Sequence, residues 1–318
     1  MFSRRTVTLV LTILALTLAG CSPGDDAASE SQTVTIEHQY GSSTIPVNPT
    51  RVVTFGGAWS DSLIKLGVPI TAEFLPRGYS GPNNRFEWTP EHTSTIVNFD
   101  YANGAPDIPA IARFDPQVIL AGYLPDKATY DRLSQLAPTI PVMTAGTVTD
   151  SWQDVLSTAG KIFDKQAQAQ EAITDVENQI AETKAKYPAS QGTTFTFGQL
   201  TPQKQFGLVT SETDPSTKLV AQFGLQLDPA VKSLADQGPR TTVSGERVDL
   251  LDSDVLILWP LVGGAESFNS VPGWDQLPAV RNGTLVVLSN ETASAFSSPT
   301  VYSVPWVVET MTPVLSKL

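Results

Sequence analysis

From Lys165 to Lys186 the chain holds neither glycine nor proline, and Ile173, Val176, Ile180 and Tyr187 recur at spacings of three, four and seven. That is a narrow apolar stripe on one helical face. Tyr187-Pro188 ends it, because the residue before a proline avoids the helical region. At roughly 1.5 Å per residue the helix is about 33 Å long, about the width of a small domain. The segments on either side alternate between strand and helix patterns. Before it, Thr33–Ile36 alternates toward Gly41 as a strand or hairpin, and Arg51–Phe55 is a continuous apolar strand. Gly56-Gly57 then turns the chain into a helix over Trp59–Leu66, and Val68–Phe74 reads as the next strand. After it, Thr193–Phe197, Phe206–Thr210 and Asp254–Trp259 read as strands. Ser216–Phe223, Ser244–Leu251 and Ser297–Leu318 read as helices. A long helix between two α/β halves predicts a strut joining two lobes. The same stripe also fits a surface helix inside one domain.

The front of the chain is of another kind. Arg4 and Arg5 precede an apolar run, Val7–Leu18, which is too short to span a bilayer and reads as the core of a targeting signal. Leu18-Ala19-Gly20-Cys21 resembles the lipobox of bacterial lipoproteins, in which the cysteine thiol takes the lipid; Cys21 is the only cysteine of the chain. The alternative is a plain secretory signal with a spare cysteine. Ser22–Gln32 is a polar tether. The predicted organisation is residues 1–20 signal peptide, 21–32 lipidated tether, 33–150 first lobe, 151–188 interlobe helix and 189–318 second lobe. Cleavage before Cys21 removes two arginines and no acid. That leaves 18 basic against 32 acidic residues, a net charge of −14, which argues against nucleic acid as a partner.

Several segments carry a family resemblance. Ile45–Val68 (IPVNPTRVVTFGGAWSDSLIKLGV) resembles the opening of the iron-siderophore and vitamin B12 class of periplasmic substrate-binding proteins of ABC importers. Pro106–Leu120 and Tyr130–Val142 resemble its next helix–strand units, and Ser244–Trp259 (SGERVDLLDSDVLILW) resembles the repeat of the first of these. The helix near Lys165–Lys186 matches the family's interlobe helix. The resemblance implies an α/β fold of two lobes with mostly parallel sheets, joined by a long backbone helix, with the ligand cleft between them. It implies an extracytoplasmic, lipid-anchored monomer that delivers a ferric siderophore to a membrane permease, with small lobe movement. Iron travels inside the siderophore, so no protein cofactor is expected. In the family a surface Glu on each lobe pairs with permease arginines. Glu246 matches the second-lobe position; in the first lobe that position is Pro109, and the nearest acid is Asp107.

In open α/β sheets, ligands bind beyond the carboxyl ends of the strands. That rule selects Trp59 after the first strand and a long loop with Arg77, Tyr79, Arg85 and Trp88. It also selects Tyr101 in the following loop, and Arg240 and Trp259 in the second lobe. Two arginines among aromatics suit an anionic, partly flat ligand, because guanidinium pairs with oxygen anions and stacks on rings. The alternative is a solvated loop whose aromatics plug the edge of the core, with Arg240 a surface charge. The two histidines, His38 and His92, share no metal-binding spacing, and no nucleophile elbow, GxGxxG or P-loop occurs. Haem or cobalamin on the same fold stays open through His92, Tyr79, Tyr101 or Tyr123. A surface lipoprotein with a hydrolase or protein-binding role is the rival of another class.

Overall fold

The computed structural model describes residues 32–77, 84–100 and 107–318. A hairpin comes first, β1 (Thr33–His38) paired antiparallel with β2 (Gly41–Pro46). Next come β3 (Val52–Thr54), α1 (Gly57–Lys65), β4 (Ala72–Pro76), β5 (Thr95–Phe99), α2 (Ile108–Ala112), β6 (Val118–Gly122), α3 (Lys127–Ser134) and β7 (Thr139–Pro141). Among the described residues the first sheet has the order β5-β4-β3-β6-β7, and every pairing is parallel. Alternation along the strands sorts residues to opposite faces. Val52, Val118 and Leu120 join one core, and Val53, Ile119 and Ala121 join the other.

The segment predicted as one interlobe helix is two. α4 (Trp152–Ile162) is capped by Ser151, whose hydroxyl accepts the Asp154 N–H at 3.1 Å. Asp164 then takes a positive φ of 50° and ends the turn before α5 (Gln166–Lys186). α4 folds back onto α1 and crosses α5 closely: a Cβ on Gly160 would meet that of Ala169 at 2.8 Å. The stripe on α5 is buried at Ile173, Val176 and Ile180, widened by Ala169 and Ala172.

The second sheet is mixed. It comprises β8 (Thr194–Leu200), β9 (Gln205–Val209), β10 (Gln226–Leu227), β11 (Arg240–Ser244), β12 (Val255–Pro260) and β13 (Leu285–Val287). Its order is β11-β9-β8-β12-β13, with β10 beside the start of β8. β12 lies parallel between β8 and β13, while β9 and β11 are antiparallel. The connecting helices are α6 (Pro215–Ala221), α7 (Pro229–Lys232), α8 (Pro278–Asn282), α9 (Ser294–Ser297) and α10 (Ser303–Leu315). The helix expected over Ser244–Leu251 is instead the end of β11 followed by one 3-10 turn, Val248–Leu251, because Ser244 pairs with Gln205. The C-terminal helix starts at Ser303, after the separate short α9. The strand expected from Val68 starts at Ala72.

Gln32–Leu318 packs as one compact unit. One core runs from Val52 and Leu120 through Leu156 on α4, Ile173 on α5 and Val307 on α10 to Phe197 and Ile257 in the second sheet. Among the described residues no helix is long and apolar enough to cross a membrane.

Candidate functional site

The first sheet reverses its winding between β3 and β6, since the chain steps from β3 outward to β4 and β5 and then returns to β6. Ligand crevices form beyond the carboxyl ends of strands at such a point. A cleft of about 560 Å³ lies there. Its first wall comes from the ends of β3, β4, β5 and β6: Phe55, Pro76, Phe99 and Tyr123. Facing residues come from the other half of the chain, Ser294 and Ser298–Thr300. Gly56 makes the turn after β3, with φ 74°, and any Cβ there would run into Leu75.

The polar part of the cleft is a buried network. Asp61 of α1 is 3 % exposed. Its carboxylate accepts from the Thr89 hydroxyl at 3.0 Å and from the Thr300 hydroxyl at 2.5 Å. Burial pushes this carboxyl up to about 6, against the pull of those two hydrogen bonds. Glu73 of β4 is 4 % exposed. It meets His92 Nε2 at 2.5 Å and accepts from the Ser94 hydroxyl. The other ring nitrogen of His92 faces the Pro90 carbonyl at 3.0 Å. The ring is thus held between two oxygens, and Glu73 and His92 face each other as a partly buried acid–base pair. Arg85 donates from one terminal nitrogen to the His92 carbonyl at 2.6 Å and borders the cleft. Asp150 also borders it, each of its oxygens accepting a backbone N–H, from Met143 and Thr144, at 2.8 Å.

Of the residues singled out in the sequence, Trp59, Arg85 and Trp88 line this cleft. Trp59 is almost wholly buried in its wall. Trp88 stacks on Phe86 at 4.6 Å and tilts toward Trp306 of α10 at 5.4 Å, so one face of its indole is already covered by protein. Arg77 is not in the lining: it is exposed and paired with Asp100 at 3.2 Å. Arg240 is not there either, being held by Asp214 at 3.0 Å. Trp259 is a core residue of β12, packed on Phe197 at 5.1 Å. Tyr79, Tyr101 and Cys21 lie outside the described residues. Glu246 and Asp107 are exposed. Neither nitrogen of His92 is left for an axial bond to haem.

Sequence reasoning passed over Asp61, Glu73 and Thr300. A signal existed for the first two. Glu73 interrupts an otherwise apolar strand, and Asp61 sits between Trp59 and Leu63 on a helix whose buried face they form. A charge in such a place is either paired or functional.

Comparison with known proteins agrees with this architecture. The sequence profile of the periplasmic binding proteins matches residues 80–292. The Fe(3+)-citrate-binding protein YfmC of Bacillus subtilis (strain 168) is 25% identical over 300 residues, covering 90% of each chain. The petrobactin-binding protein YclQ of the same organism is 24% identical over 309 residues, 88% of this chain and 89% of the relative. A crystal structure of a periplasmic solute binding protein from Mycobacterium smegmatis str. MC2 155 superposes with a TM-score of 0.73 at 26% identity. It covers 90% of this chain and 98% of that one. With two α/β halves around one cleft, and a profile match over well more than half its length, this chain belongs to the periplasmic binding protein family.

Proposed function

We propose that this chain is the extracytoplasmic, lipid-anchored substrate-binding protein of an ABC importer, and that its cargo is a ferric siderophore. The observation that carries this reading is the switch-point cleft: about 560 Å³, walled mainly by aromatic and aliphatic side chains, with one guanidinium at its edge. That is the form of a site for a compact organic ligand oriented by a few polar contacts. Relatives matching 90% and 88% of the chain are named for ferric citrate and petrobactin, which supports iron complexes as the class. The iron stays chelated by the siderophore, and the protein binds the outside of the complex. The continuous core between the sheets supports delivery with little lobe closure. The test is a titration of tryptophan fluorescence in the chain from Ser22 onward with ferric siderophores of the catecholate, hydroxamate and citrate classes. Saturable quenching by at least one class is expected. No binding across the panel, with hydrolysis of a generic ester, would favour an enzyme instead.

The anchor rests on Cys21. Cys21→Ala is expected to yield protein without lipid, either uncleaved or released from the membrane. Mature-length Cys21→Ala protein that stays with membranes after a high-salt wash would contradict it.

Docking on the permease is assigned to Glu246, with Asp107 the weaker first-lobe partner. Glu246 is exposed in the turn after β11, while its neighbour Arg247 is already taken by Asp249 at 2.8 Å. Asp107 precedes α2 without bonding its own helix through its side chain. Glu246→Arg is expected to cut uptake about tenfold by reversing a charge at the contact, with ligand affinity unchanged. Normal uptake by this variant would remove the docking role.

A further inference from the structure

The charges around the cleft narrow the cargo, on the reading that it is a ferric siderophore. Asp61, Glu73 and Asp150 border the cleft, against Arg85 and His92. With Glu73 and His92 taken together as one hydrogen-bonded acid–base pair, what remains is two carboxylates and one guanidinium. The segments 78–83 and 101–106 flank the cleft in sequence and contain no Asp, Glu, Lys, Arg or His, so they change nothing in this sum. Arg77, the nearest further cation in the sequence, is neutralised by Asp100. The wall is therefore slightly negative, in a chain whose net charge is also negative.

Ferric complexes differ sharply in charge. Three catecholates bring two negative charges each to one Fe(III), leaving a trianion, and citrate complexes keep ionised carboxylates. Three hydroxamates bring one each and leave a neutral complex. Burying a trianion requires several cations or donors pre-aimed at it, because uncompensated charge in a dry cleft is costly. Among the described residues this cleft offers one cation, the Arg85 guanidinium, itself anchored to the His92 carbonyl; its buried unpartnered donors, the indole N–H groups of Trp59 and Trp88, carry no charge. A neutral complex needs only what is present: apolar wall such as Trp59, Leu75 and Leu124, and one fork to meet its polarised chelate oxygens. We infer that the cleft is built for a ferric complex without net negative charge, of the tris-hydroxamate class. This replaces the anionic ligand expected from two arginines in the sequence, since only Arg85 reaches the cleft.

The test titrates the full chain in detergent with three probes: ferrichrome as the neutral trihydroxamate, ferric enterobactin as the trianion, and ferric citrate. Ferrichrome is expected to bind at least about tenfold more tightly than either anion. Its affinity is expected to change less than about twofold between low and physiological salt, since a neutral ligand has no long-range repulsion to screen. Val148→Lys adds a cation at a lining position that is 69% exposed, so the fold tolerates it. It is expected to strengthen ferric enterobactin binding several-fold. Equal or tighter binding of an anionic probe by the unmodified chain, or no gain for ferric enterobactin in Val148→Lys, would overturn this inference and leave the siderophore reading standing. Failure of all three probes would overturn both.

Discussion

Arg85→Ala is expected to weaken ferric siderophore binding about tenfold to a hundredfold, because a charge-assisted hydrogen bond contributes roughly 1.5–3 kcal/mol. The geometry separates this residue from Arg77. Arg85 is half-buried at the cleft, spends one nitrogen on the His92 carbonyl, and has its remaining donors without a protein partner among the described residues. Anchoring at one end orients the fork, so less side-chain entropy is lost when a ligand oxygen is met. Arg77 is exposed and already paired with an exposed Asp100, a contact of little energetic weight. Arg77→Ala is therefore expected to change affinity by less than about threefold. Arg85→Lys keeps the charge and loses the fork, and is expected to fall between wild type and Arg85→Ala. The melting temperature of Arg85→Ala should drop by only about 2 °C, for one lost hydrogen bond in a chain of this size. Fluorescence titration and thermal melts of the three variants check this. A larger loss for Arg77→Ala than for Arg85→Ala would move the polar contact to the rim.

Asp61→Asn is expected to gain on wild type by on the order of 3 kcal/mol as pH rises from about 4 to about 7. The sign follows from proton binding. The folded chain holds the Asp61 proton up to about 6, whereas the unfolded chain releases it near 3.8. Between those values the native state binds more protons, so stability from this group is complete below 3.8 and is lost as pH passes through about 6. Asparagine cannot ionise and removes that loss. It also fits the network. The Thr300 hydroxyl already accepts from the N–H groups of Tyr302 at 3.3 Å and Ser303 at 3.0 Å, so it must donate, and the amide oxygen would face it. The amide nitrogen would then turn to Thr89, whose hydroxyl can accept. Urea unfolding of both proteins at the two ends of this range measures the difference. Parallel stability profiles would show that the buried carboxyl is not the titrating group. Because Asp61 ties α1 to Thr300 across the cleft, the same titration changes a bond between the two halves of the chain.

Much of this was legible in the residues. The continuous runs at Val52-Val53 and Val118–Leu120 belong to central parallel strands buried on both faces, and the stripe on α5 faces the core. What failed depends on distant partners. Ser244–Leu251 has a helical look, but Ser244 is claimed by Gln205 some forty positions earlier in the chain, through an antiparallel ladder. The split of the interlobe segment rests on Asp164 adopting a left-handed conformation that carries no glycine to announce it. In the all-parallel sheet the strand-end rule picks residues that line the cleft, Trp59, Arg85 and Trp88; in the mixed sheet it picks residues that do not. Arg240 opens an antiparallel strand, and Trp259 lies inside β12 rather than beyond it. The network of Asp61, Glu73, His92 and Thr300 draws on four separate segments, so no local window contains it.

The central claim, that the switch-point cleft holds a ferric siderophore, is tested most directly by filling it. Ala58 lines the cleft and is half-buried at the start of α1, with the core on one side of it and the cleft on the other. Fluorescence titration of wild type and Ala58→Trp with ferrichrome should give saturable quenching in wild type. The variant, melting within about 2 °C of wild type, should bind at least about a hundredfold more weakly. Unchanged affinity in a folded Ala58→Trp protein would place the ligand somewhere else.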